Sequence, residues 1–561
     1  MILSPGPALT TPGRICQFRR TSHSCPPRRR HHSTMSPTRR EALAQLAALA
    51  ALPLLDRIPI EDDPLRGTVA DYQAGRRRGK WTAAEVTARA LERSRGEGAK
   101  WRAIDALADS ALAEARASDV RRRAGRLRGP LDGVPVFAKA IYDMAGLPTT
   151  ASNAEWARLF PDPVHRDALE VARLRAAGAV ILGKTAADDF AYHGNGTSSH
   201  TGQVLNPHDP TGTRTPGGSS AGSAVAVASG LAFAALGTDD GGSNRIPAQF
   251  TGVVGMKPSF GLVARTGVIP TWPYLDTHGP LARSVADAAL LLAAIAGADA
   301  SDPLSRSDGW DAASLARLRD DALSGIKLGV VDAHVPRLQM SAEALAMWDR
   351  AVADLRAAGA AVGSFIPAVT RENVRDAFAT SAQARGDVAV DSRAPAVTAR
   401  ALLSYFAGRT TDARAAMRVG YPAYRGFYDV LPPTFEECEA LLDGAMSDDA
   451  AGRSFAASRA EVNAALASSM RAAGVAAMVY PTMPFNAPRA VDPWPDIRTA
   501  LGYGNWLGLP EVSIPAGIGA DGMPALNLSI VGLPGEDARV LAWAHAYERQ
   551  SRRFAAPNAE G

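Results

Sequence analysis

The sequence predicts an α/β protein, a β-sheet covered by helices on both faces. Short β-prone runs bounded by Gly and Pro recur along the chain, separated by stretches with apolar positions three and four apart. Such alternation needs a sheet that buries both faces against helices. The composition, 46% hydrophobic and 21% charged over 561 residues, supplies a large core. With no internal repeat and no Gly/Ser linker, a single domain is expected from about 62 to 556, with 557–561 as a C-terminal tail.

The elements follow in order. Residues 1–34 are rich in Arg, Pro, Ser and His and lack acids, which suits a transit-like leader or an unused upstream start. From Met35, "MSPTRREALAQLAALAALPLLDR" sets the twin arginines Arg39 and Arg40 ahead of an apolar run, so 35–61 resembles a twin-arginine export signal. That run is too short to span a membrane and points to an exported protein. An N-terminal helix packed on the body, in a cytoplasmic protein, is the alternative. Residues 82–123 have helical spacing, "GPLDGVPVFAKAIYDMAG" (129–146) and "AVILGKT" (179–185) are strand-like, and "RSVADAALLLAAIAG" (283–297) is a buried helix. "IKLGVVD" (326–332) is another core strand, and the Ala/Arg-rich stretch 340–470 is helical. Strand signals return in "AAMVYPTMP", "EVSIPAGI" and "ALNLSIVG" before a closing helix, "EDARVLAWAHAYERQS".

Charge and cysteine usage exclude several classes. The formal charge is +4, but the first forty residues hold eight arginines and no acid, which leaves −4 on the remainder. The body therefore has no excess positive charge to attract nucleic acid. The basic runs Arg76–Lys80 and Arg121–Arg128 read as solvated faces. Cys16 and Cys25 fall in the leader and leave Cys438 alone, too few for a disulfide framework or a cysteine metal site. His193, His200 and His208 lack metal-ligand spacing and read as loop residues, so no metal or organic cofactor is expected.

The stretch "GGSSAGSAVAVASGLAFAALGTDDGGSNR" (217–245) carries two Gly-Gly-Ser turns joined by small residues. One such turn is an ordinary loop. A buried helix over 223–236 would hold the two serines rigidly, as a catalytic pair requires. A serine hydroxyl also needs a base, and a buried lysine of lowered pKa can serve where an arginine cannot. Only six of the 61 Lys and Arg residues are lysine. Lys139, inside "VPVFAKAIY", has the most apolar context, while Lys184 and Lys257 could be ordinary surface charges.

Together with "GTDDGGSNRIPAQFTGVVGMKPSFG" (237–261), "DTHGPLARSVADAALLL" (276–292), "GLPEVSIPAG" and "LAWAHAYE", these motifs resemble the amidase signature family of serine hydrolases. The resemblance spans almost the whole body and is weakest between 340 and 470. It implies a large mixed sheet and a Ser-cis-Ser-Lys triad, with Ser243 as nucleophile, Ser219 as bridging serine after a cis bond from Gly218, and Lys139 as base. Backbone N–H groups of Asp240, Gly241, Gly242 and Ser243 would form the oxyanion hole. Asp239 and Arg245 are expected to pair and shape the loop, with Gly217 and Gly218 bending the first turn. Two departures stand out. Ala140 follows Lys139 where the family has an acid, with Asp143 further on, and Asp240 and Asn244 replace residues that are usually uncharged or apolar. An inward carboxylate at 240 would oppose negative charge there, or select a cationic substrate group.

Other readings compete. Gly218-Ser219-Ser220-Ala221-Gly222 fits a G-x-S-x-G elbow with Ser220 as nucleophile, yet "NPHDPTGTRTP" before it is a loop where an elbow needs a strand. No Gly-Lys-Ser/Thr follows the glycines to make a phosphate loop. Within the family, the amidase component of a tRNA-dependent amidotransferase and a non-hydrolytic amide-binding relative are the rivals. The expected partner is a small-molecule amide; aryl, fatty, peptide C-terminal and cyclic amides all stay open, as does oligomeric state. Tyr192, His193 and Trp506 are the candidate pocket residues.

Overall fold

The computed structural model describes residues 63–307, 310, 318–387, 393–446, 449–554 and 556–557. The leader 1–34, the signal-like segment 35–61 and most of the tail 557–561 lie outside the described residues. In chain order the strands are β1 Ile104–Leu107, β2 Pro135–Lys139, β3 Val180–Thr185, β4 Thr197–Ser198, β5 Gly202–Gln203, β6 Ala234–Asp239 and β7 Val254–Lys257. They continue with β8 Thr277–Ala282, β9 Lys327–Val331, β10 Ala361–Phe365, β11 Ala477–Pro481, β12 Glu511–Ile518 and β13 Pro524–Val531. One sheet of eleven strands runs in the order β1-β3-β2-β6-β8-β7-β12-β13-β11-β9-β10, and β4 and β5 form a small separate ribbon.

The sheet is mixed. β2 pairs in parallel with β3 and β6, and β9 with β10 and β11, while the central strands from β6 to β11 are antiparallel. Every residue of β2 and β3 is buried, as a strand covered by helices on both faces demands, and their near-continuous apolar sequence is the mark of it. Helix ends obey local chemistry. Thr82 and Glu85 close a capping box at the start of Ala83–Arg95, and Gly474, at φ 65°, ends Ala450–Ala473. Among the described residues no helix is long and apolar enough to cross a membrane.

Four expectations need correction. The segment 223–236 is not one helix: the helix is Ala221–Ala228, and Gly230, at φ 68°, turns the chain back so that β6 can pair with β2. The stretch 82–123 contains a strand, β1, between its helices. Arg76 and Arg121 do not belong to solvated faces. Arg76 is fully buried and reaches Ser118 Oγ and Asp119 Oδ1, each at 3.1 Å, and Arg121 grips Asp132 through two bonds of 2.8 Å. Lys184 and Lys257 are fully buried rather than surface charges, which strips their ammonium groups of water.

The helix Ala221–Ala228 is buried on every side. Small residues are required because it lies almost on the neighbouring backbone: a Cβ at Gly222 would sit 2.3 Å from the Ala103 carbonyl oxygen. The Gly217–Ser220 turn opens this helix, and β6 leads into the second turn. Both turns therefore lie at one end of the sheet, beside the end of β2 that carries Lys139.

Candidate active site

Lys139 closes β2, is fully buried, and donates from Nζ to Ser219 Oγ at 2.7 Å and to Thr238 Oγ1 at 2.8 Å. Burial lowers its pKa to about 8, against the pull of Asp240, Asp276, Asp188 and Asp239. A lysine so placed loses its proton near neutrality and can then accept one from the serine it touches. The acid missing after Lys139 is not replaced by Asp143, which instead accepts from Thr149 Oγ1 at 2.7 Å and Tyr405 OH at 3.0 Å.

The Gly218–Ser219 peptide bond is cis, as the resemblance implies. Gly218 is there for lack of room: a Cβ would meet Asp188 Oδ2 at 2.0 Å. Asp188 accepts from the Gly196 and Thr197 N–H groups, each at 3.0 Å, and its own N–H donates to the Ser219 carbonyl at 3.2 Å. That contact holds the bridging turn from below.

The two turns are joined directly. Ser220 N–H donates to the Ser243 carbonyl at 3.1 Å, and Ser220 Oγ donates to Thr238 O and Asn244 Oδ1, each at 3.2 Å. Ser220 is fully buried and braces the turns, unlike the exposed serine that an elbow presents. Asn244 extends the brace through Nδ2 to Met256 O at 3.1 Å and Gly279 O at 3.3 Å. Hydrogen bonds, more than the short helix, set the two turns relative to each other.

Asp239 and Arg245 do pair, and the pair is part of a larger buried network. Arg245 donates twice to Asp239 at 2.9 Å, to Glu511 Oε2 at 2.7 Å and to Asn505 Oδ1 at 2.7 Å. Burial works against the Asp239 carboxylate, but the Arg245 guanidinium holds its pKa down at about 2. Asp239 also accepts from Gly242 N–H at 2.8 Å and Asn244 N–H at 3.1 Å. This corrects one expectation: the Gly242 N–H is already committed to Asp239, because a buried carboxylate must fill its acceptors.

Ser243, nearly buried, lines a cavity of about 800 Å³ together with Asp240 and Gly241. Tyr192, His193 and Trp506 line the same cavity, so all three candidate pocket residues meet there. Burial, with Asp276 beside it, raises the Asp240 carboxyl to about 7. Asp276 itself stays ionised through His278 Nε2 at 3.2 Å, and His278 Nδ1 lies 2.5 Å from Glu170. Sequence reasoning missed Thr238, although it sits inside "GTDDGGS", and missed the far wall of the cavity, Arg371, Arg375 and Leu501. Among the described residues no three His, Cys, Asp or Glu side chains are placed to hold a metal ion.

An eleven-stranded mixed sheet that carries a buried lysine-serine pair beside a serine loop and an open cavity defines an enzyme of the amidase-signature class. Residues 85–541 match the family model described as Amidase, and the chain belongs to that family. It is 42% identical to the A subunit of the mitochondrial glutamyl-tRNA(Gln) amidotransferase of Ixodes scapularis, a match spanning 46% of this chain and about half, 52%, of that one. It is 35% identical to the A subunit of the glutamyl-tRNA(Gln) amidotransferase of Anaeromyxobacter sp. (strain K), over 80% of this chain and 89% of that one. Among solved structures, the native peptide amidase of Stenotrophomonas maltophilia superposes with a TM-score of 0.72 at 30% identity, covering 88% of this chain and 99% of that one.

Proposed function

We propose that the protein cleaves a carboxylic amide C–N bond through a serine acyl-enzyme. The observation that carries this is the fully buried Lys139 Nζ lying 2.7 Å from Ser219 Oγ. Neutral Lys139 takes the proton of Ser219 as Ser219 takes that of Ser243, and Ser243 Oγ attacks the amide carbonyl. The relay then reverses to protonate the leaving amine or ammonia, and water releases the carboxylate. Backbone N–H groups of Asp240, Gly241 and Ser243 stabilise the tetrahedral oxygen, with Gly242 holding the loop through Asp239. Export through 35–61 belongs to this reading.

The test is labelling by a fluorophosphonate probe, read by intact mass beside ammonia release from a primary-amide panel. Labelling and release are expected in the wild type and absent in Ser243→Ala. Labelling that persists in Ser243→Ala and vanishes in Ser220→Ala would overturn the assignment.

A second reading shares the same chemistry. The named sequence relatives are components of glutamyl-tRNA(Gln) amidotransferases, one of them 35% identical along 89% of its length, which favours an amidase component working with partners. Purification from the native cell separates the two: partner proteins that co-elute select the amidotransferase reading, and a lone, exported chain selects the free amidase.

A further inference from the structure

The cavity at Ser243 holds a charge pattern that amide hydrolysis does not use. Arg371 and Arg375, one helical turn apart where the chain enters the helix Val374–Arg385, both line it. Neither makes an ion pair among the described residues. The carboxylates of the same lining, Asp240 and Asp376, lie beyond ion-pair distance of both, and neighbouring Glu372 pairs with Arg498 at 3.3 Å.

Arg371 is held from two sides. Its backbone N–H donates to His334 Nε2 at 2.9 Å, and its Nε donates to the Leu501 carbonyl at 2.6 Å. His334 is a neutral acceptor at physiological pH, since burial lowers its pKa to about 4, and its ring packs edge-on against Tyr480 and Tyr503. Leu501 in turn presses on the nucleophile loop, where a Cβ at Gly242 would meet Leu501 Cδ2 at 2.7 Å. Arg375 lies over the Trp506 ring, 5.5 Å from its centroid. Burial first, and then repulsion from Arg375, disfavours the charge on Arg371, against the pull of Glu372. Two like charges left unpaired on one cavity wall oppose each other, and an anion bound between them relieves both.

We propose that Arg371 and Arg375 form an anion subsite that selects amides bearing a carboxylate on the part of the molecule remote from the scissile bond. The assignment rests on the Ser243 cavity being the amide site. Asp240, beside the nucleophile, repels a carboxylate from the reacting end, so the two signs together orient the substrate. The planar guanidinium fork suits a carboxylate, which it can grip through two parallel N–H bonds.

The test is binding by titration calorimetry to Ser243→Ala, which does not consume its ligand. Succinamate, glutaramate and adipamate are compared with the uncharged alkyl amides of equal chain length. At least one anionic member is expected to bind about tenfold tighter than its neutral partner. Adding Arg371→Gln and Arg375→Gln is expected to bring it down to the neutral amide's affinity. Equal binding across every pair, or a preference that survives both substitutions, overturns the subsite. Should the combined variant fail to fold, Arg375→Gln at its exposed position carries the same comparison, with at least a threefold loss of preference expected (about half of a tenfold effect on the logarithmic scale). Absence of ammonia release by the wild type would count against the hydrolytic reading alone, because the binding comparison needs no turnover.

Discussion

The floor and the far wall of the cavity are built differently. On the floor, three charged groups are tied to partners: Asp239 faces Arg245, Arg245 reaches Glu511 and Asn505, and Lys139 sits between Ser219 and Thr238. On the wall, Arg371 and Arg375 line the space with no ion pair, and Arg375 and Asp376 stand exposed. The floor is the part whose sequence resembles the family most, apart from Ala140, Asp240 and Asn244. The wall comes partly from the stretch where the resemblance is weakest. Reaction chemistry is common to many amides and tolerates one geometry, whereas selectivity is a matter of which groups face the ligand.

That contrast can be broken, and the strongest blows fall on the floor. Ser243→Ala is expected to lower kcat by about 10⁵–10⁶-fold in a steady-state assay, the loss seen when a serine nucleophile is removed. Lys139→Met should cost about 10³-fold with the fold retained by circular dichroism, as loss of a general base does. Arg245→Met leaves Asp239 and Glu511 buried and unpaired, and urea unfolding should show about 3–5 kcal/mol less stability. Because Arg245 holds the Asp239 pKa down at about 2, this pair's stability is fully present above the ordinary carboxylate pKa of about 4. It is lost as pH falls from there through about 2. Removing the pair should therefore flatten the acid limb of the stability profile.

Smaller effects sharpen the contrast. The profile of kcat/KM against pH should rise as Lys139 loses its proton near 8, and Asp240→Asn should move that rise to lower pH, since Asp240 is the strongest of the charges that hold the proton on Lys139. Trp506→Ala, on the wall, should raise KM by about tenfold with a lesser change in kcat, the signature of lost ground-state binding.

Much of the floor was legible in the sequence because its residues come in contiguous, spaced motifs. The strands β2, β3, β9, β11, β12 and β13 were legible too, being runs of buried apolar residues. β7 and β8 were not. β8, "THGPLA", holds a Gly-Pro pair that argues against a central strand, yet β7 pairs only with its last two residues, so Pro280 needs no N–H for that neighbour. β1 is four half-buried residues without alternation. Ser220 and Asn244 escaped as braces for another reason: a side chain that bonds to backbone far along the chain leaves no periodic trace. Of the wall, Trp506 was named from the sequence, but Arg371 and Leu501 were out of reach for the same cause, since they meet only after more than a hundred residues of intervening chain have folded.

The bond from Ser220 N–H to the Ser243 carbonyl makes the two turns one mechanical unit. Neither can swing away while that bond holds, so Ser219 and Ser243 open together or not at all. Hydrogen exchange at this single buried amide would then count the openings of both turns, and a ligand that closes the cavity would slow it in proportion to how firmly the site is held.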